Sequence, residues 1–293
     1  MSEPGPFAAS PRLVTSRDGT QIAVFEALPA PGAGVGDLPP GRLPLLLVHG
    51  ATADHTTWRT VGPELARTRR VFAIDRRGRG ASGDAPDYAI EREFEDVAAV
   101  AEALAAAMPG AARPAVDVAG HSYGGRCGLG AALLTTAIRR LVVYEGAPVP
   151  AGMTYRPPGL VDAVRGALEA GEDERALVAF LAGIVGMSDA ALEAYRRDPV
   201  WPARVRAAHT ILREIEAEAS PPASLEALAS VTIPVLLVLG SISRSPFRIG
   251  TDALAARLPD ARVATIDGAA HAAHHTHAAA FVALLEQFLD QPG

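Results

Sequence analysis

Short, nearly continuous apolar runs alternate along the chain with longer stretches rich in Ala, Leu, Glu and Arg, the latter with helical character. Six runs read as buried strands, at 45–48, 71–74, 115–119, 141–144, 235–239 and 262–266, because continuous apolar character suits strands covered on both faces. An earlier pair at 12–14 and 21–26 reads as an antiparallel hairpin with Asp18-Gly19 at its turn. Helices are predicted at 61–67, 90–108, 123–135, 252–257 and 278–289, and the Pro/Gly-rich stretch 29–41 as a surface loop. This alternation predicts an α/β domain with a mostly parallel sheet.

One interval breaks the rhythm. The stretch between the strands at 141–144 and 235–239 is too long for a single crossover and reads as helical, with candidates at 160–170, 172–184, 189–196, 202–218 and 225–229. Pro157-Pro158, Pro199, Pro202 and Pro221-Pro222 divide it. The expected organisation is a core built from residues 1–147 and 231–293, interrupted by a helical insertion, 148–230, sitting over the strand ends.

Composition narrows the function classes. With 293 residues, 49% hydrophobic and 20% charged, the chain suits one large domain or a domain with an insertion, which excludes a disordered or fibrous protein. All 27 Lys and Arg residues are Arg, so mechanisms that need a lysine amine are excluded. A net charge of -6 without a long Arg-rich face argues against a nucleic-acid partner. Cys127 is the only cysteine, which rules out a disulfide framework or a cysteine-based metal cluster. Gly32-Ala33-Gly34-Val35-Gly36 runs into Pro39-Pro40 rather than a helix, so it is not a dinucleotide loop. The N-terminus lacks a secretory pattern, and no apolar run approaches the ~20 residues of a membrane span. The expectation is a cytoplasmic protein acting on a small molecule without cofactor, metal or membrane partner; nothing in the sequence sets an oligomeric state.

The chemistry is concentrated in four blocks. Gly120-His121-Ser122-Tyr123-Gly124 fits G-x-S-x-G between an apolar run and a helix rich in small residues. A bare match is compatible with a serine in an ordinary turn, but a strand before and a helix after mark a turn that lifts the hydroxyl out at the strand's end. With Val48-His49-Gly50-Ala51, the run Asp75-Arg76-Arg77-Gly78-Arg79-Gly80-Ala81-Ser82, and Gly268-Ala269-Ala270-His271 after the last strand, the chain resembles the α/β-hydrolase family over nearly its whole length. The resemblance implies an α/β-hydrolase fold, a mostly parallel eight-stranded sheet flanked by helices, with the helical insertion in the place of the family's cap. It further implies Ser122 as nucleophile, His271 as its base, and the backbone N–H groups of Ala51 and Tyr123 as the oxyanion hole. Serine requires such a base, and the tetrahedral oxyanion requires such donors.

The acid departs from the family's commonest pattern. The loop after 235–239 reads Gly240-Ser241-Ile242-Ser243-Arg244-Ser245-Pro246, with no carboxylate before Asp252. Glu145, closing the strand at 141–144, is the leading candidate and resembles branches that carry the acid after this earlier strand. Asp252, another acid or a Ser-His dyad are the alternatives, and a surface glutamate is the bland reading of Glu145.

Other features have plain explanations beside functional ones. His271, His274, His275 and His277 have spacings that could gather a metal, but no acidic or Cys ligand lies among them, which favours one catalytic histidine. The Asp75–Arg79 block could hold a phosphate or serve as a structural turn, and the resemblance favours the turn. Cys127 reads as a small buried hydrophobe. Asp54 and His55 are either substrate-orienting or ordinary loop polarity. Met153, Tyr155, Phe180, Ile184, Met187 and Trp201 give the insertion apolar bulk, most of it core, the remainder lining a pocket. From that bulk, together with Trp58, the substrate-binding candidates are Trp58, Met153 and Trp201.

The reading is a serine hydrolase cleaving carboxylic esters of a small to medium apolar substrate through an acyl-enzyme. A C–C bond hydrolase or lyase using the same site, and a non-catalytic ligand-binding relative, are the alternatives. Serine at the elbow argues against haloalkane dehalogenases and epoxide hydrolases, which carry aspartate there.

Overall fold

A computed structural model describes residues 6–29, 42–108 and 114–291. Most of the predicted loop at 29–41 therefore lies outside the described residues. Eight strands, β1 (Arg12–Thr15), β2 (Gln21–Glu26), β3 (Leu45–Val48), β4 (Val71–Ile74), β5 (Val116–His121), β6 (Ile138–Tyr144), β7 (Val235–Gly240) and β8 (Ala261–Ile266), form one sheet. Its spatial order is β1-β2-β4-β3-β5-β6-β7-β8. The β1–β2 and β2–β4 pairs are antiparallel and every other pair is parallel. All eight strands fall where the apolar pattern puts them, and β5 lies inside the parallel part of the sheet.

Continuous apolar runs follow from burial on both faces in β3 to β7, whereas β8, read from the sequence as buried, is an edge strand exposed or half-buried over most of its length. In β3, Leu46 and Val48 enter one core cluster while Leu45 and Leu47 enter the other. In β6, Leu141 and Val143 face the first, Val142 and Tyr144 the second. Helices α2 (Ile90–Ala106) and α3 (Tyr123–Ala132) contribute to the first cluster, and α12 (Ala278–Leu289) to the second, with the short α1 (Gly62–Leu65) beside it. Cys127 is fully buried in the first cluster, as a small hydrophobe.

Between β6 and β7 the chain forms α4 (Leu160–Glu169), α5 (Asp173–Phe180), α6 (Asp189–Tyr195), α7 (Trp201–Arg206), α8 (Ile211–Ala217) and α9 (Leu225–Leu228). Leu160, Val164, Phe180, Ile211 and Ile215 belong to a third apolar cluster within this stretch. Two predicted helices are broken. The one at 172–184 becomes α5 followed by a π-helical turn, Leu181–Val185, that stops at Gly186 with φ 80°. The one at 202–218 divides into α7, a 3-10 turn over Ala208–Thr210, and α8. After β7, α10 (Ser245–Ala255) starts seven residues before the prediction because Pro246 sits in its first turn, where its missing N–H costs nothing. The chain closes with α11 (Ala273–Thr276) and α12. Among the described residues no helix is long and apolar enough to cross a membrane.

A buried ion cluster fastens the helical stretch to the sheet. Arg76, just after β4, makes a bidentate pair with Glu93 of α2 at 2.6 and 2.8 Å. Arg76 and Arg79 also both bond Glu214 of α8. Burial would raise the Glu93 carboxyl, but the two guanidiniums outweigh it and hold it down to about 2. With Arg77 paired to Asp96 and Asp18, the Asp75–Arg79 block is a structural turn whose arginines are paired with carboxylates of the protein itself.

Candidate active site

The chain turns sharply where β5 meets α3. Ser122 lies between them with φ 54° and ψ −125°, a conformation that non-glycine residues adopt only when their surroundings enforce it. Its N–H donates to Tyr144 O at 2.8 Å, fixing it to the end of β6. The flanking glycines are required by space. A Cβ on Gly120 would meet Gly124 O at 2.4 Å, and one on Gly124 would meet Val48 O at 2.3 Å. That close approach brings the loop after β3 against the elbow. Within this loop His49 accepts from Arg76 N at 2.9 Å through Nε2, so Nδ1 carries the proton and donates to Gly50 O at 2.8 Å. Ala51 follows. Tyr123 opens α3, so its N–H has no acceptor within the helix. Its side chain is fixed by a 2.9 Å bond to the Tyr88 hydroxyl and by the Arg76 guanidinium over its ring.

Register explains how an acid after β6 reaches a histidine after β8. His121 pairs with Tyr144, and Tyr144 with Val238, so the ends of β5, β6 and β7 lie level. Glu145, the residue after β6, has φ 49° and is 3% exposed. His271 Nδ1 donates to Glu145 Oε2 at 2.6 Å. The other carboxylate oxygen accepts from Gly240 N at 2.8 Å and from the Ser243 hydroxyl. The loop that lacks an acid thus supplies the donors that hold one. Asp252 is exposed on α10 and is not a partner of His271.

The His271 segment is held from several sides. The Tyr144 hydroxyl accepts from Ala273 N at 2.9 Å and donates to Ala270 O, and His121 Nε2–H donates to His271 O at 2.8 Å. Phe247 of α10 stacks on the imidazole, centroids 4.3 Å apart. Sequence reasoning missed Ser243, Gly240 and Phe247, since no motif marks them.

Ser122 and His271 line a common cavity of about 410 Å³. Its walls are largely apolar and come from the strand-end loops and from α5, α6 and the π-helical turn, including Phe180, Leu181, Ile184, Val185 and Met187. Of the bulky residues singled out in the sequence, Phe180, Ile184 and Met187 line it, whereas the three substrate-binding candidates do not. Trp58 is completely buried under the sheet, 5.1 Å from the His274 ring and 6.4 Å from Phe281. Trp201 is buried in the third apolar cluster, against Tyr195. Met153 is 44% exposed and lines a separate surface pocket. Apolar bulk alone does not say which side of an element faces the cavity. Exchange of Trp58 for Phe is therefore expected to leave KM unchanged while lowering stability by about 1–3 kcal/mol, read from substrate titrations and urea unfolding.

The remaining polar candidates are structural or secondary. Asp54 caps a 3-10 turn by accepting from Thr56 N at 2.9 Å, and His55 stacks on Phe25 and donates to Asp75 at 2.7 Å. Neither lines the large cavity. Asp54, His55 and Asp75 are the one group among the described residues whose ligand atoms converge within 4.8 Å, and all three are already engaged in these bonds. His274 is buried between His121 and Trp58, and His275 reaches the cavity wall. Burial, with Arg59 and Arg204 nearby, lowers His275 to about 4. Arg204 of α7 also lines the cavity and donates to Thr52 Oγ1 at 3.1 Å.

Comparison with known proteins agrees with this architecture. A model of the alpha/beta hydrolase family matches residues 45–284. An alpha/beta hydrolase from Sphaerobacter thermophilus superposes with TM-score 0.74 at 30% identity, covering 94% of this chain and 99% of that one. A 2-hydroxy-6-oxo-2,4-heptadienoate hydrolase of Pseudomonas putida is 33% identical over 129 residues, 42% of this chain and 43% of the relative. An N-formylmaleamate deformylase of the same species is 32% identical over 143 residues, 46% and 51% of the two chains. The chain spans about half, or less, of the length of these curated relatives. From its sheet order, its elbow and the family match over most of its length, the chain belongs to the alpha/beta hydrolase family.

Proposed function

We propose that this protein is a serine hydrolase that cleaves carboxylic esters of a small to medium apolar substrate through an acyl-enzyme. The observation that carries the reading is the 2.6 Å bond from His271 Nδ1 to the buried Glu145, beside a serine on a strained elbow. With its proton on Nδ1, His271 keeps the Nε2 lone pair for the Ser122 hydroxyl. Ser122 Oγ attacks the ester carbonyl as its proton passes to Nε2. The N–H groups of Ala51 and Tyr123 receive the oxyanion, each such donor contributing about 3–4 kcal/mol to the transition state. Protonated His271 then gives its proton to the departing alcohol, and a water deacylates Ser122 by the same relay. The helical stretch 148–230 acts as the cap that roofs the cavity.

Turnover of p-nitrophenyl esters, together with trapping by a fluorophosphonate, tests this. The adduct is expected on the peptide that contains Ser122, and Ser122→Ala is expected to lose both label and turnover. Turnover retained by Ser122→Ala overturns the proposal.

A second reading has its own support. Relatives named for 2-hydroxy-6-oxo-2,4-heptadienoate and 2-hydroxymuconate semialdehyde carry ketone or aldehyde groups rather than esters in those names. Cleavage of a C–C bond beside a carbonyl is the corresponding reaction here, and product analysis on a β-diketone separates it from ester hydrolysis.

A further inference from the structure

Ser122 borders a second, much smaller cavity. Ala51, Ser122, Phe180 and Ile184 line both spaces, whereas His271 lines only the large one and Tyr123, Arg126 and Glu214 only the small one. Resting on the acyl-transfer reading above, we propose that the small cavity is the acyl subsite and that the substrate is an ester of a short, hydroxyl-bearing acid with a bulky apolar alcohol.

The partition follows from where the proton must go. The leaving oxygen takes its proton from His271, so the alcohol has to lie on the side of Ser122 that His271 borders, in the 410 Å³ cavity. The acyl substituent then points the other way, into a space of about 30 Å³. A water requires roughly 10–15 Å³ on this scale, so the acyl side holds about two or three heavy atoms beyond the carbonyl carbon.

The small cavity is also chemically distinct. Arg126 and Glu214 are 4% and 2% exposed, and Arg126 Nε and Glu214 Oε2 are buried with no hydrogen-bond partner among the described residues. An unpartnered donor and an unpartnered acceptor are each costly to leave unsatisfied. Their charges are already balanced. Arg126 pairs with Glu218 at 3.0 Å, and the other oxygen of Glu214 binds Arg76 and Arg79. A neutral group that both accepts and donates therefore fits better than an ion, and a hydroxyl is the smallest. In the reaction the Ser122 Oγ–acyl bond forms as the bond from the acyl carbon to the alcohol oxygen breaks. The Ser122 proton travels through His271 to that oxygen, and water releases the hydroxy acid.

Four esters test the assignment: the glycolate, propionate and hexanoate of 2-(2-naphthyl)ethanol, and ethyl 2-naphthylacetate, which reverses the large and small ends. Each kcat/KM is divided by the ester's alkaline hydrolysis rate so that intrinsic reactivity cancels. The glycolate is expected to exceed the equally sized propionate about 100-fold, because the propionate leaves both polar atoms unpaired. Hexanoate and the reversed ester are expected to fall a further 10- to 200-fold. Arg126→Met, which leaves Glu218 beside solvent, is expected to shrink the glycolate preference at least tenfold. Ile215→Ala removes bulk from the lining of the small cavity and is expected to raise hexanoate turnover about tenfold. The wild-type ratios need no variant to fold. Equal rates for glycolate and propionate, or a preference for hexanoate or the reversed ester, overturn this proposal alone. Absence of Ser122-dependent turnover on every ester overturns the acyl-transfer reading and this proposal with it.

Discussion

Replacing Glu145 by glutamine is expected to lower kcat about 10⁴-fold while leaving KM and the thermal midpoint close to wild type. The size of the effect comes from tautomer control. In the wild type, Oε1 accepts from Gly240 N and the Ser243 hydroxyl, and Oε2 accepts from His271 Nδ1. A glutamine amide keeps its oxygen toward Gly240 and Ser243, because turning it over would set its NH2 group against a backbone N–H. The NH2 then faces His271 Nδ1, which must become an acceptor, and the imidazole proton moves to Nε2. The lone pair that Ser122 needs is lost, and so is the charge that would stabilise the imidazolium. Glu145→Asp keeps the charge but shortens the reach across the ends of β6 and β7, so its loss is expected to be smaller. Steady-state kinetics with matched circular dichroism read the outcome, and a Glu145→Gln enzyme within tenfold of wild type overturns the assignment of Glu145 as the acid.

Much of this arrangement was legible in the chain before its fold, and what was not legible has identifiable causes. Strands covered on both faces carry continuous apolar runs, which made β3 to β7 visible, whereas the hairpin β1–β2 was marked by its Asp18-Gly19 turn and the edge strand β8 by its place after the last crossover. The elbow was visible because its glycines answer a local steric demand at Gly120 and Gly124. Glu145 was visible by a different route, as the carboxylate on a strand neighbouring β5 when the next strand's loop had none. The donors that hold Glu145 were not, since a backbone N–H and a lone serine leave no pattern. Nor was the joint between α8 and the sheet, where Arg76 meets Glu214 across 138 residues of sequence. The substrate-side candidates lie away from the large cavity for a related reason. Trp58 and Trp201 share the apolar character of the residues that line the cavity, and only tertiary packing separates a residue filling a core from one facing an empty space.

Acid is expected to destabilise this protein steeply between pH 6.5 and 5, at a rate approaching about 5 kcal/mol per pH unit. Four histidines are held neutral. Burial pushes His49, His121 and His274 well below the ordinary 6.5, and His275 down to about 4. Cationic neighbours act in the same direction: Arg76, Arg79 and Arg204 near His49, and Arg204 near both His121 and His274. Below pH 6.5 the unfolded chain binds protons at these positions that the folded chain refuses, so stability is fully present above 6.5 and is lost as pH falls toward the folded-state values. Each fully unmatched proton contributes about 1.4 kcal/mol per pH unit. The buried carboxylate Glu93, held down to about 2, titrates below this window, whereas burial raises Asp96, Asp117 and Glu214, whose proton uptake in the folded state opposes the histidine slope toward the acid end. Urea unfolding at constant m-value from pH 7.5 to 5 measures the slope. His274→Phe isolates one contributor, because His274 Nδ1 has no partner among the described residues and Nε2 lies 3.4 Å from Thr57 Oγ1, so the exchange removes little hydrogen bonding. The variant is expected to unfold with a slope shallower by about 1.4 kcal/mol per pH unit. A wild-type stability that stays flat over this range, or a variant as acid-sensitive as wild type, would show that these rings accept protons in place and that the cluster beside the site is not the neutral array the geometry requires.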